Sequence, residues 1–264
     1  MPDLRTLLWT ILLLGVTTCH TKGQQGPSPF QYIQGALVRG DTSAKELALV
    51  FTGDEYANGG MHIAQLLERQ GVKGSFFLTG KFYRNPDFQA VLNTLVAGGH
   101  YLGAHSDQHL LYCDWEKRDS LLVTRDEFTE DLKYNYKAMH AFGIETGDAP
   151  LFLPPYEWYN DTISAWTASM GLQLINYTHG TLSHADYTVP GTSGYRSSQK
   201  IYGSILEYET GHNSGLNGFI LLSHIGTAPE RSDKFYLRLE DLINSLQAKG
   251  YQFLRIDELL HRAL

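Results

Sequence analysis

Leu47-Ala48-Leu49-Val50-Phe51 is an unbroken apolar run. Ile63, Leu66 and Leu67 follow at helical spacing between Met61 and Gln70, Gly71 ends that pattern, and Ser75-Phe76-Phe77-Leu78 opens a second apolar run. A short run that is apolar on both faces suits a strand covered on both sides, as in a parallel sheet. A 3.6-residue period between two such runs suits the helix that crosses over the sheet. This stretch therefore reads as a βαβ unit, whose crossover is right-handed in nearly all proteins.

The same alternation continues along the chain. The third run is His100-Tyr101-Leu102-Gly103, reached through a helix that opens at Asn85-Pro86 and buries Phe88, Val91, Leu92 and Leu95. A capping box, Thr124-x-x-Glu127, predicts a helix through Phe128, Leu132 and Met139. The fourth and fifth runs are Leu151-Phe152-Leu153 and Leu172-Gln173-Leu174-Ile175, with a helix from Asn160 between them. A long polar crossover and a helix near Ile201, Ile205 and Tyr208 lead to the sixth run, Phe219-Ile220-Leu221-Leu222. A helix from about Asp233 to Gly250, the seventh run Tyr251-Gln252-Phe253-Leu254 and a short helix near Asp257 close the chain. Seven strand–helix units with no sign of a second domain predict an α/β fold, a distorted (β/α)7 barrel.

With 264 residues and 42% hydrophobic content the chain can bury a sizeable core. A formal charge of −7 with no run of Lys or Arg argues against a nucleic-acid partner. Arg5 precedes an apolar run, Leu7 to Val16, too short to span a bilayer and suited to a signal peptide. The run ends at Val16-Thr17-Thr18-Cys19, which looks like a lipoprotein box that would attach the protein to a membrane through lipidated Cys19; an ordinary secretory signal fits as well. Residues 1–19 are read as a signal peptide or lipoprotein signal, 20–35 as a polar tether and 36–264 as the folded domain. Both readings export the protein, as a periplasmic or outer-membrane lipoprotein or in secreted form. The second cysteine, Cys113, lies in an apolar context and reads as a small buried hydrophobe.

Reactive side chains follow the strands: Asp54 and Glu55 after the first, His105 and His109 after the third, Tyr156, Glu157 and Trp158 after the fourth, His179 and Asp186 beyond the fifth, and His224 after the sixth. Ligands of parallel α/β folds sit at that end of the sheet. If the segment after the third strand turns helically, His105 and His109, spaced i, i+4, would hold one cation, with Asp54 or Glu55 as third ligand and a position left open for water. An N/O site of this kind suits zinc. His179 and His184 read as hydrogen-bonded or solvated rather than as ligands. Among the tryptophans Trp158, beside Glu157, is the best candidate to stack on a sugar, while Trp115 and Trp166 read as core.

From Leu47 to Leu260 the chain resembles the polysaccharide deacetylases, the NodB-homology domain of carbohydrate esterase family 4. The family's H-S/T-x-x-H metal motif is matched by His105-Ser106-x-x-His109, its R-x-P-Y/F motif in part by Leu153-Pro154-Pro155-Tyr156, its D-W motif by Asp186-Tyr187 and its L-x-H motif by Leu222-Ser223-His224. Gly74 to Gly80 resembles the family's T-F-F-x-x-G second strand, and Gly98-Gly99-His100 its entry to the third. The resemblance implies a divergent NodB-like catalytic domain that removes N- or O-linked acetyl groups from a glycan with the help of a divalent metal. It implies His105, His109 and Asp54 on the metal, His224 as acid with Asp186 as its partner, and substrate contacts at Pro155, Tyr156, Trp158 and Leu222.

The first motif departs from the family's T-F-D-D-G. Aligned without gaps, Thr52 stands for the general base, Gly53 for the metal-binding Asp, and Asp54 falls one place late; the Arg that orients the base is Leu153 here. The base and its Arg are lost together while the acid side remains, which points to a re-wired base, supplied by Glu157 or Glu55. A glycan-binding lipoprotein with impaired catalysis on the same fold is the competing reading. A hydrolase acting on a non-acetyl substrate is a third.

Overall fold

The computed structural model describes residues 30–261 and 263. The expected signal, Cys19 and most of the expected tether lie outside the described residues. A hairpin opens the described chain: β1 (Gln31–Ile33) and β2 (Ala36–Arg39) pair antiparallel. They turn on Gln34-Gly35, both with positive φ (46° and 76°), the backbone that a two-residue hairpin loop needs. The sheet thus begins five residues ahead of the boundary expected at 36, because Gln31 to Ile33 pairs although its side chains are exposed.

All seven predicted runs form strands: β3 (Glu46–Gly53), β4 (Ser75–Leu78), β5 (Tyr101–Ala104), β6 (Leu151–Phe152), β7 (Gln173–Leu174), β8 (Phe219–His224) and β9 (Gln252–Phe253). The sheet order is β1-β2-β8-β3-β4-β5-β6-β7, with β3 to β8 running parallel. The seventh run does not extend the barrel. β8 pairs directly with β3, and β9 pairs with Glu46 and Leu47 at the start of β3. The two ends of the curled sheet meet through β2, where Leu37 bridges Ile175 just beyond β7 and Arg39 pairs with Phe219 of β8. Thr178 reinforces the seam, its N–H donating to the Ile220 carbonyl at 3.1 Å and its hydroxyl to that of Val38.

The covering helices are α1 (Gly60–Arg69), α2 (Gly80–Arg84), α3 (Gln89–Ala97), α4 (Arg125–His140), α5 (Asp161–Ser169), α6 (Ser198–Gly211), α7 (Leu239–Ala248) and α8 (Ile256–Leu260). Their starts follow local chemistry. The Thr124 hydroxyl accepts the Glu127 N–H at 3.2 Å and Glu127 returns the contact to the Thr124 N–H at 2.7 Å, so the predicted capping box opens α4. The Asn160 side chain accepts the Ile163 N–H at 3.0 Å and opens α5. Ile63, Leu66 and Leu67 of α1 are fully buried, each such side chain contributing about 1.5–3 kcal/mol of hydrophobic free energy. Beneath them Phe51 and Phe76 stack at 4.9 Å.

The register sets the position of the site. Thr52 lies opposite His224, Gly53 opposite Leu78, Leu78 opposite Ala104, and Ala104 opposite Phe152. The strands therefore end level, and the loops that begin at Asp54, Thr79, His105 and Leu153 open onto one face.

Candidate active site

The loop after β5 is not helical, contrary to the expectation from the i, i+4 spacing. Ser106 (φ 72°) and His109 (φ 59°) both adopt left-handed backbone, and the segment runs as a tight loop. The two imidazoles still meet, with ring centroids 5.1 Å apart. What bends the loop is Asp131 of α4, a buried carboxylate. It accepts the Ser106 hydroxyl at 2.6 Å and the backbone N–H groups of Asp107 and Gln108 at 3.0 and 2.9 Å. One helical turn later Asn135 accepts the His105 N–H at 2.8 Å and donates to the Leu78 carbonyl at 3.2 Å.

His105 directs Nδ1 at the Leu153 carbonyl, 2.7 Å away, which makes Nδ1 the donor and leaves Nε2 as the free lone pair. Burial disfavours the imidazolium at both histidines: His105 falls well below its ordinary pKa and His109 drops to about 4 against the pull of Asp54. Both rings are thus neutral, the form that binds a metal. Asp54 lies with one oxygen 4.0 Å from His109 Nδ1, while the other accepts the Thr79 hydroxyl at 2.8 Å and Lys81 Nζ stands 3.5 Å away. The donor set of two neutral imidazoles and a neighbouring carboxylate suits a divalent cation. Among the described residues, no three His, Cys, Asp or Glu side chains converge tightly enough to enclose one as they stand.

Across the cavity, His224 at the end of β8 meets Asp186, which sits in a 3-10 turn over Ser183–Tyr187. Nδ1 of His224 is 2.6 Å from one Asp186 oxygen, and the His224 N–H donates to the other at 3.0 Å. Burial works against the charged imidazole, but the Asp186 carboxylate and, further off, Glu157 outweigh it and raise the His224 pKa above its ordinary value. Glu157 is held in the same cavity by an unusual turn. Tyr156 (φ 59°) and Glu157 (φ 53°) are both left-handed, and Asn176 fixes the Glu157 carbonyl at 2.8 Å. Burial lifts the Glu157 carboxyl to about 7; His224 opposes the shift and Asp186 adds to it.

Four of the five non-glycine residues with positive φ among the described residues are Ser106, His109, Tyr156 and Glu157. Each such position costs on the order of 1–3 kcal/mol, and persists only where its surroundings hold it. The loops of the site are therefore strained while the strands beneath them are not.

Asp54, His105, His109, Glu157 and His224 line a cavity of about 640 Å³, together with Glu55 at its exposed mouth, while Asp186 stands behind His224. Thr52 forms part of its floor, and the Thr52 hydroxyl is buried with no hydrogen-bond partner among the described residues. Leu222 is fully buried in β8 and Pro155 is buried, and neither is among the residues that line the cavity. Tyr156 does line it, 45% exposed, with its ring 4.4 Å from His109. Trp158 also lines it, but the Arg118 guanidinium covers its ring at 4.1 Å. The exposed indole is instead Trp115, at 56%, contrary to the expectation that it is a core residue. Tyr177 stacks on His184 at 4.7 Å and lies 4.6 Å from His179, so both histidines serve the wall. Cys113 is buried, as expected. A second depression, about 930 Å³ beside α3 and α4, carries Arg84 and Asp107, whose paired contacts of 2.5 and 2.9 Å satisfy each other.

Gly53, which stands where the resembled motif carries its metal-binding Asp, has no room for a side chain. A Cβ there would stand 2.6 Å from Ile225 Cγ2 and 2.9 Å from Leu78 Cδ2.

A family profile described as Polysaccharide deacetylase matches residues 39–175. A chitin deacetylase from Pestalotiopsis sp is 24% identical over 92% of this chain and 72% of its own length. The peptidoglycan-N-acetylmuramic acid deacetylase PdaA of Bacillus subtilis (strain 168) is 23% identical over 85% of this chain and 75% of its own. The crystal structure of a CE4 family pseudoenzyme from Bacillus anthracis superposes with a TM-score of 0.67 at 18% identity, over 87% of this chain and 70% of that one, a likeness of fold.

Proposed function

This chain belongs to the polysaccharide deacetylase family, and from that premise we propose that it hydrolyses N- or O-linked acetyl groups of a polysaccharide or oligosaccharide. The observation that carries this reading is the pairing of two opposite protonic groups in one cavity. The Asp186-supported imidazole of His224 is biased towards its charged form, and Glu157 is a carboxyl that titrates near neutrality. Acetyl transfer to water needs one proton removed from the water and one delivered to the leaving amine or alcohol.

His105, His109 and Asp54 would hold a divalent metal, with Asp54 turning from Thr79 and Lys81 to complete the set; zinc suits such ligands. When bound, the metal would polarise the acetyl carbonyl and acidify a water. The remaining work falls to the chain. Glu157 takes the proton of the attacking water, replacing the carboxylate lost at Thr52. His224 protonates the leaving group, and Asp186 stabilises its imidazolium. The Thr52 hydroxyl, buried without a partner, offers the water a further contact. Glu55, exposed at the mouth, is the alternative base.

The test is acetate release from acetylated chito-, xylo- and peptidoglycan-derived oligosaccharides, with and without a chelator. Turnover that is lost on chelation and returns with zinc supports the reading. Binding of an acetylated glycan with no acetate released would instead support a catalytically impaired glycan-binding protein. The closed space at Gly53 favours that second reading.

We further propose that the protein is exported and tethered through Cys19, on the strength of the apolar run that ends at Val16-Thr17-Thr18-Cys19. Cell fractionation of a Cys19→Ser variant tests this. Release from the membrane supports the tether, and an unchanged soluble distribution of both forms refutes it.

A further inference from the structure

The loop between β5 and α4 carries a polar feature that acetyl hydrolysis leaves unused. It folds back on itself, with Cys113 bridging Leu121, and docks on residues 158–160. The Trp158 indole N–H donates to the Asp114 carbonyl at 3.2 Å, Asn160 donates to the Arg118 carbonyl at 3.0 Å, and Arg118 Nε donates to the Tyr159 carbonyl at 2.6 Å. The Arg118 guanidinium lies over the Trp158 ring at 4.1 Å and near the Tyr159 ring at 5.2 Å. Its orientation is thus fixed by a hydrogen bond on one edge and an aromatic face on another, and the two Nη groups remain.

Arg118 is the one lysine or arginine among the described residues that line the cavity. Its charge is not spent on the acids of the site. The ion pairs among the described residues leave it out, and Glu157 responds to His224 and Asp186 rather than to Arg118. The side chains that do feel Arg118 are His179, which lines the cavity, and Tyr159 and Cys113, which do not. A fixed guanidinium with free Nη groups matches the two oxygens of a carboxylate.

The rim beside it is aromatic. His109 touches Tyr156 (4.4 Å), Tyr156 meets Trp115 edge-on (5.6 Å), and Trp115 packs on Trp158 (5.5 Å), whose ring supports Arg118. An exposed indole can cover the C–H face of a pyranose while a neighbouring cation reads a charged substituent. The line of rings leads from the reacting centre outward, so the two features address a sugar next to the acetylated one.

The geometry points to Arg118 as a specificity determinant that binds the carboxylate of an acidic sugar, with Trp115 stacking on the same residue. The substrate class is then an acetylated glycan that also carries carboxylates, either as uronic acids or as ether-linked acid groups. This inference rests on the deacetylase reading for the position of the acetylated sugar, but its test reads binding, which does not depend on turnover.

The experiment is isothermal titration calorimetry of the full chain with three oligosaccharides of equal length: a neutral N-acetylglucosamine oligomer, an acetylated uronate oligomer and an N-acetylmuramyl oligomer. The expected result is that a carboxylated oligomer binds about 10–100-fold tighter than the neutral one, the range of a charge-assisted contact. Arg118→Gln should remove that preference, bringing the carboxylated oligomers to the affinity of the neutral one. Arg118→Lys should keep part of it, since a point charge remains without the fork. A preference for only one carboxylated oligomer supports the inference and identifies where the acid sits. Equal affinity of the wild-type protein for all three overturns it, as does an Arg118→Gln variant, matched in Tm, that weakens all three alike; Arg118 would then only support Trp158. Acetate release separates the two readings. Tight carboxylate-dependent binding without release sinks the hydrolase and keeps the subsite. Equal kcat/KM on neutral and carboxylated oligomers sinks the subsite and keeps the hydrolase.

Discussion

The Asp186 carboxylate holds His224 at two points, taking the backbone N–H at 3.0 Å and standing 2.6 Å from Nδ1 of the same residue. One contact fixes where the histidine sits at the end of β8, and the other fixes which ring nitrogen faces the cavity. Asp186→Asn keeps much of the shape and removes the charge. The raised pKa of His224 should then fall, because its largest favourable cause is gone while burial still opposes the cation. An acid must be protonated to act, so the alkaline limb of kcat/KM should move to lower pH and the rate should fall about 10²-fold or more. A pH–rate profile, together with NMR titration of the His224 ring, measures both. An alkaline limb that stays in place would show that another group delivers the proton.

Glu157→Gln should lower acetate release about 10²–10⁴-fold with no change in metal content. A base must be ionised, so wild-type activity should rise with pH through the Glu157 value of about 7, and this limb should vanish in the variant. Stability should move the other way. A carboxyl whose folded pKa exceeds its unfolded one loses stability as pH climbs through that interval. At pH 8 the Gln variant should therefore melt above the wild type. Glu55→Gln is the comparison, and if only that change abolishes turnover the base lies on the loop after β3.

Gly53→Asp, the change that would bring back the family residue, should fail to create a metal ligand. The new Cβ would press on Ile225 and Leu78 at 2.6 and 2.9 Å, and overpacking of this kind costs about 1–3 kcal/mol. A Tm lowered by several degrees, with no gain in metal affinity, is the expected outcome. A stable variant that binds metal more tightly would mean that the floor yields.

Asp131→Ala should disturb the metal histidines from behind. It strands the Ser106 and Tyr112 hydroxyls and the backbone N–H groups of Asp107 and Gln108, and each buried donor left unsatisfied costs on the order of 1–3 kcal/mol. Both a lower Tm and weaker zinc affinity, read by calorimetry, should follow. Loss of Tm alone would confine Asp131 to a scaffolding part.

The barrel could be read from the chain because each strand is a short apolar run and each helix a 3.6-period stripe with its own cap, Thr124 and Asn160 among them. The hairpin at Gln31 to Arg39 was not read, since β1 is exposed on every residue and buries no pattern. At the site, residue types at strand ends gave His105, His109, His224, Asp186 and Glu157. Their supports were harder to see. Asp131 and Asn135 are polar residues at i, i+4 on the buried face of α4, alongside Phe128, Leu132 and Met139, a mismatch that could have flagged them. The helical turn expected for residues 105–109 failed because Asp131 draws three donors to one point, a long-range contact that spacing does not encode. Trp115 and Arg118 were missed for a similar reason, since what brings them to the cavity is the docking of their loop on residues 158–160.

The seam at β2 has a consequence for how the molecule is made. Leu37 and Arg39 leave the ribosome early, yet their partners, Ile175 and Phe219, are among the later residues synthesised. The hairpin is a local contact made through its own turn, whereas the outer edge of β2 is paired only by these distant partners. Contacts of such sequence separation form slowly, and open strand edges invite pairing with other chains in the meantime. Closing the ring therefore joins the first strands of the described chain to residues far along the sequence.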